Sequence, residues 1–173
     1  MIARNVFQLI FKVLLYLLTY FLVTSHVGVF HFALCFSYVG AILLLPLGSN
    51  AVRTILFSFL IGLAVDVFQS SLGIHTAACV LLGFFRANFI NWMVPAGGYE
   101  EYMTITIPSM GFRWFFPFTF GLLFLHHFLY FLIDYASTAD ILIALLRALA
   151  SALLTFCTLV LIQFGIEPPA RNT

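Results

Sequence analysis

The stretch that decides the fold is FSFLIGLAVDVFQSSLGIHTAACVLLGFFR, residues 57–86. Two apolar runs flank a short polar break, with Gly62 and Asp66 before the break, Gly73 after it and Arg86 closing the second run. A carboxylate in a hydrocarbon-length segment is costly to hold in a bilayer unless it pairs, positions another group or lines a wet cavity. Because the break is so short, the two runs are predicted to form neighbouring antiparallel helices.

The composition indicates that these helices belong to a membrane protein. Of 173 residues, 64% are hydrophobic and 8% are charged, and the mean hydropathy is +1.14, whereas about 25% of the residues are charged in soluble domains. The net charge of +1 comes from scattered side chains with no basic stripe, so nucleic acid is not expected as a partner. The prediction is one all-α integral membrane domain, residues 1–173, embedded in the lipid bilayer.

The apolar runs predict a six-transmembrane-helix bundle. A helix of about 20 apolar residues crosses the bilayer, and turn-forming or polar residues separate the runs. No small-residue cleavage site follows the first run, which is therefore predicted to be an uncleaved span. The predicted spans are 6–24, 29–47, 53–68, 74–90, 114–133 and 141–164, with one long connection at 91–112.

The basic residues predict the orientation, because Lys and Arg near span ends are retained on the cytoplasmic side. The breaks on one side contain Asp66, Asp134 and Asp140 and no Lys or Arg. Both termini and the 91–112 loop are therefore predicted to be cytoplasmic. The basic residues at the ends facing that side are Arg4, Lys12, Arg53, Arg86, Arg113 and Arg171.

One cation breaks this pattern. Arg147 lies seven residues after Asp140, about 10 Å into the membrane at 1.5 Å per residue. It can snorkel outward to head groups, or turn inward to pair with Asp66 or Asp134. His75 follows Asp66 across the short break, so a charged hydrogen bond between these two is a further option, with an interfacial histidine as its alternative.

Small side chains recur along the last predicted span. Ala144, Ala148 and Ala152 are spaced four residues apart and form a strip that another helix can approach closely. We expect this strip to pack within the fold rather than against a partner chain.

The long connection has an acidic and aromatic composition. Such a mixture suits a protein contact surface, although a plain solvated linker is an equal alternative. The candidate partner-contact residues are Trp92, Tyr99, Glu100 and Glu101.

The sequence predicts neither catalysis nor a metal or cofactor site. His126 and His127 are adjacent, so their side chains point about 100° apart on a helix and cannot easily bind one ion. The HExxH and GxSxG motifs and a glycine-rich phosphate loop are absent from the sequence. We therefore expect a non-enzymatic protein.

The run from Gly62 to Arg86 resembles the central motif of the MreD family of rod shape-determining proteins. In that motif a glycine is followed four residues later by an acid, then by a polar turn and a second glycine. The Gly-Ile-His sequence at 73–75, the small residues Ala77 and Ala78, and the closing Phe-Phe-Arg are similar to MreD proteins of the Bacteroidetes type. The polar turn is about one residue shorter than in the enterobacterial pattern.

This resemblance implies a non-enzymatic scaffold in the inner membrane, within the rod (elongasome) complex. MreD-like proteins bind the single-span protein MreC, and together they link MreB filaments to RodA and a penicillin-binding transpeptidase in peptidoglycan synthesis. The resemblance also implies a fold similar to the substrate-binding subunits of energy-coupling-factor vitamin transporters. A small-molecule-binding subunit, with Asp66 at the mouth of its cavity, is therefore the alternative function.

Overall fold

The computed structural model describes residues 2–22, 28–29, 32–95, 97–99, 103–134 and 140–166. These residues are mostly helical, with one short antiparallel hairpin. The elements in chain order are α1 (Ile2–Leu22), β1 (Gly28–Val29), β2 (Ala33–Leu34), a 3-10 helix (Ser37–Val39), α2 (Gly40–Leu43), α3 (Ala51–Gln69), α4 (Ile74–Trp92), α5 (Ile107–Met110), α6 (Phe112–Asp134) and α7 (Ile141–Ile166).

Five of the six predicted spans coincide with the five long helices α1, α3, α4, α6 and α7. Within the described part of the chain, three helices are long and apolar enough to cross a membrane, namely Ala51–Gln69, Phe112–Asp134 and Ile141–Gly165. The apolar part of α1, Leu9–Leu22, is shorter. The chain is therefore a helical membrane protein.

The described residues of the second predicted span, 29–47, do not form one continuous helix. Its chain runs through β1 and β2, the 3-10 helix and the single turn of α2, and residues 35–43 are all buried. Two backbone amides of this segment donate to side chains of α7, Leu34 to Ser151 Oγ at 2.9 Å and Phe36 to Thr155 Oγ1 at 3.0 Å. An apolar run predicts that a segment is buried, but it does not distinguish a helix from an irregular backbone. Here the hydroxyl groups of α7 accept hydrogen bonds from the irregular backbone and so allow it to be buried.

Segment 33–45 lies at the centre of the helix arrangement. α3 packs along α4, α4 against α6, and α6 against α7, while α1 covers the 3-10 helix and α2 and α7 contacts β2. Non-helical backbone is tolerated at membrane depth only where the protein satisfies its polar groups. The position among the helices supplies those partners.

α3 and α4 approach each other unusually closely at two glycines. A Cβ on Gly62 would lie 2.5 Å from Cα of Thr76 and 2.9 Å from the carbonyl oxygen of His75. At Gly83 of α4 the nearest group is instead the side chain of Ser58 in α3, whose Cβ lies 3.0 Å from the Cβ position. At Gly62 the neighbouring atoms are backbone and cannot move aside, so only a residue without a side chain fits there, and this fixes the register of the two helices.

Candidate functional site

Asp66, in the last turn of α3, caps the N-terminus of α4. Its Oδ1 accepts hydrogen bonds from Ser71 Oγ at 2.7 Å and from His75 N at 3.1 Å. Its Oδ2 accepts from Thr76 N at 2.8 Å and from Thr76 Oγ1 at 2.5 Å. Gly73, with a φ of 90°, occupies the N-cap position and offers no side chain. The Asp66 carboxylate therefore replaces the capping side chain and lies at the positive end of the helix dipole.

These bonds correct the partners that the sequence predicted for Asp66. Both carboxylate oxygens are used by residues 71–76, so Asp66 does not pair with Arg147, and it contacts the backbone amide of His75 rather than the imidazole. The physical reason is proximity, because a four-residue break brings the unpaired N–H groups of α4 directly to the end of α3.

Arg147 neither extends freely toward head groups nor pairs with the predicted acids. Its Nε donates to the carbonyl oxygen of Phe32 at 3.0 Å, and its guanidinium lies 4.8 Å from the centre of the Phe131 ring and 5.8 Å from that of Phe32. Within the described residues, Asp134 is exposed and makes no ion pair. Arg147 thus ties the chain just before β2 to α7 and α6 through a carbonyl and an aromatic face.

Tyr38, buried in the 3-10 helix, joins two histidines from different helices. Its hydroxyl lies 2.7 Å from Nδ1 of His75 in α4 and 3.1 Å from Nε2 of His126 in α6. All three side chains are at most 2% exposed. A hydroxyl has one proton, so Tyr38 donates to one ring and accepts from the other. The three groups therefore form one ordered chain of hydrogen bonds across three elements.

A second polar contact connects α6, α7 and the central segment. Nδ1 of His127 lies 2.8 Å from the carbonyl oxygen of Leu123, and Nε2 lies 3.1 Å from Thr155 Oγ1. A carbonyl oxygen only accepts, so Nδ1 carries the proton and Nε2 of the neutral ring accepts from Thr155. Thr155 in turn accepts from Phe36 N, and the Phe36 ring stacks on His127 with centres 4.9 Å apart.

A polar cavity of about 190 Å³ lies beside His75, at the end of the bundle where α3 meets α4. Gln69 Nε2 donates to Tyr20 Oη in its wall, at 3.1 Å. The cavity therefore offers amide, hydroxyl and imidazole groups between aromatic faces, which are the features of small-molecule sites. Its lining residues are Tyr20, Leu34, Cys35, Phe36, Gln69, Ser71, His75 and Tyr130.

An open apolar groove of about 730 Å³ runs along the outer side of the α3–α4 pair and reaches α6. Phe59 and Leu63 of α3 and Ala77 and Phe84 of α4 are exposed along it. The groove is continuous with the helix pair that Gly62 and Asp66 hold together. Its remaining lining residues are Ile55, Gly73, Thr76, Val80, Leu81 and Leu129.

Arg86 is buried, with 1% of its surface exposed. Its guanidinium donates to three backbone carbonyls of the central segment, from Nε to Leu43 at 3.1 Å and from one Nη to Leu45 and, at 3.3 Å, to Pro46. Leu43 is the last residue of α2, and Leu45 and Pro46 follow it, so the arginine supplies the donors that the helix end lacks. The sequence singled out Arg86 as a motif residue and as a marker of orientation, but it did not predict these carbonyl partners.

The alanine strip of α7 is buried inside the protein. Ala144, Ala148 and Ala152 are each at most 1% exposed. Leu34 of β2 packs beside Ala144 and Ala148, together with Phe131 of α6. The small side chains therefore allow both the β hairpin and helix α6 to pack closely against α7.

The predicted contact residues of the long connection have different surroundings. Tyr99 Oη donates to the carbonyl oxygen of Ile90 at 2.7 Å and caps the end of α4, and burial raises the pKa of the phenol. Trp92, in contrast, is 71% exposed. Glu100 and Glu101 lie outside the described residues.

The described residues contain no group of three His, Cys, Asp or Glu side chains placed to hold a metal ion. The buried polar side chains instead connect different helices. Tyr38 lies at the centre of these contacts, and the sequence analysis did not identify it. The only indication in the sequence was that a side chain able to form hydrogen bonds lies within an apolar run. Together the fold and these contacts define a helical membrane protein with a polar interior network.

Comparison with known proteins yields no relative: no protein-family model, no curated protein and no solved structure matches the chain.

Proposed function

We propose that this protein is a non-enzymatic scaffold of the rod complex in the bacterial inner membrane, with both termini in the cytoplasm. In this role it binds an MreC-like single-span protein and links MreB filaments to RodA and its penicillin-binding transpeptidase. The resemblance of residues 62–86 to the MreD motif supports the proposal. The distribution of Lys and Arg supports the orientation.

The single structural observation that carries the proposal is the apolar groove beside the α3–α4 pair. The residues of the MreD-like motif hold these two helices in one register, so the groove has a fixed shape. Ala77 leaves space in its wall between larger side chains. Association of membrane helices depends on van der Waals packing where small residues admit a partner, and a single transmembrane helix fits such a surface.

The test is co-purification of the MreC-like partner with groove variants of the full chain. Ala77→Trp fills the groove and is expected to reduce recovery of the partner at least tenfold. The matched control is Leu161→Trp, which places the same side chain on the exposed face of α7, where Leu161 is 72% exposed. Equal recovery of the partner with both variants would show that the groove is not the binding surface.

A second candidate function is a small-molecule-binding subunit of a vitamin-type transporter. The polar cavity of about 190 Å³ beside His75 favours it. A ligand that binds only the folded state raises the melting temperature, so vitamins and lipid-linked cell-wall precursors can be screened by thermal shift. A concentration-dependent increase that Gln69→Leu abolishes would support this function over the scaffold.

A further inference from the structure

A second cavity lies at the opposite end of the α3–α4 pair from Asp66. It has a volume of about 220 Å³ and is lined by the beginning of α3, the end of α4 and the turn before α3. A water molecule occupies about 30 Å³ in the liquid, so the cavity is large enough to hold several water molecules or a small anion. Arg86, Thr54, Ser49 and Asn91 bring polar groups to its wall.

Arg86 brings a positive charge to this cavity, and no carboxylate among the described residues neutralises it. All of its hydrogen-bond acceptors are backbone carbonyls, and among the described residues no carboxylate contacts it. Arg86 itself lines the cavity, and its second Nη makes no hydrogen bond to the described residues. A buried charge without a counter-ion is costly, and binding an anion relieves that cost.

Thr54 is a second, independent indication of a ligand. Its side chain is 3% exposed, it lines the cavity, and Oγ1 has no hydrogen-bond partner. Oγ1 is buried in the present rotamer, and a threonine in a helix has a second χ1 rotamer that points the hydroxyl in another direction. Buried hydroxyls normally have a partner, and an unpartnered one beside a cavity indicates a missing acceptor or donor.

Further positive charge lies at the same end of the helices, where Trp114, next to Arg113, donates to the carbonyl oxygen of Met93 just after α4. Arg53, in the first turn of α3, and Arg113, in the first turn of α6, are exposed. Arg86 lies six residues before the end of α4, about 9 Å from it, within reach of the head-group region of a bilayer. Basic pockets between transmembrane helices bind anionic head groups.

From these observations we infer that the cavity is a binding site for a phosphate-type anionic group, held by the Arg86 guanidinium and the Thr54 hydroxyl. The group is either the phosphate of an anionic phospholipid or a free phosphate. This inference does not depend on the proposed scaffold function, since it concerns the end of the helix pair away from the Asp66 cap.

The experiment measures the melting temperature of the full chain in nanodiscs. One arm titrates inorganic phosphate against chloride at equal ionic strength, in nanodiscs of phosphatidylcholine. The other arm replaces phosphatidylcholine stepwise with phosphatidylglycerol. A rise with phosphate identifies a free anion site, a rise with phosphatidylglycerol alone identifies a lipid site, and no rise in either arm overturns the inference.

Variants locate the effect. Thr54→Val removes only the hydroxyl and is expected to weaken the anion response about tenfold, the effect of losing one hydrogen bond to a charged group. The matched control is Thr119→Val, because Thr119 Oγ1 is equally buried and unpartnered but lies away from this cavity. Arg86→Gln is expected to abolish the response. An unchanged response in Thr54→Val and in folded Arg86→Gln would contradict the assignment.

Discussion

Asp66 and Thr76 belong to different helices, yet Oδ2 of Asp66 accepts from both the amide of Thr76, at 2.8 Å, and its hydroxyl, at 2.5 Å. The end of α3 is thereby attached to the start of α4 by one carboxylate oxygen. The other oxygen accepts from His75 N and Ser71 Oγ. The carboxylate thus has a local structural task, the joining of two helices at their turn.

Asp66→Asn is expected to destabilise the protein by about 1–3 kcal/mol. The amide keeps one acceptor oxygen, while its NH₂ group faces donors and leaves one backbone N–H of α4, that of His75 or of Thr76, unpaired. Thermal unfolding in detergent measures the change. Asp134→Asn is the control, because Asp134 is exposed and exposed substitutions usually stay within about 0.5 kcal/mol. Equal stability of both variants would contradict the capping role.

Gly62→Ala is expected to cost about 1–3 kcal/mol, the usual effect of overpacking. The added Cβ would lie 2.5 Å from Cα of Thr76, and the backbone there cannot rotate away as a side chain can. Gly165→Ala is the matched control within α7, since nothing lies within 4 Å of its Cβ position. That variant is expected to be neutral or more stable by up to about 1 kcal/mol. Chemical denaturation of both variants in the same detergent gives the comparison.

Arg86→Lys is expected to loosen the central segment. A guanidinium donates through several nitrogens in a fixed plane, whereas an ammonium cannot reach the carbonyls of Leu43, Leu45 and Pro46 together. Each carbonyl left unpaired costs about 1–3 kcal/mol. Amide hydrogen exchange of residues 40–45 is expected to quicken, while Arg53→Lys, at an exposed position, leaves it unchanged. Equal protection in the two variants would argue against the capping by Arg86.

Thr155→Val is expected to destabilise the protein by about 2 kcal/mol or more. It leaves Phe36 N and Nε2 of His127 without their shared partner. Thr119→Val removes an equally buried hydroxyl that has no partner and is expected to be neutral or stabilising. Melting temperatures of the two variants test the difference, and a similar loss in both would mean that volume, not hydrogen bonding, decides the effect.

The sequence predicted the long helices well because each is an apolar run bounded by turn-forming residues. It indicated that Asp66 matters, but not its partners, since capping depends on which groups the short turn brings together. It could not predict the form of 29–47, because Leu34 N is satisfied by Ser151, 117 residues away. An apolar pattern records burial, and it contains no information on which distant hydroxyl meets an amide.

The partners of the central segment have a consequence for how the protein is made. Leu34 and Phe36 leave the ribosome more than a hundred residues before Ser151 and Thr155, on which their amides depend. A helix pairs its own backbone N–H and C=O groups and can therefore enter lipid as soon as it forms. Segment 33–45 leaves some of these groups without partners until α7 is present, so its entry into lipid costs more free energy. Its final placement must therefore come last in biogenesis, after α7 has been synthesised.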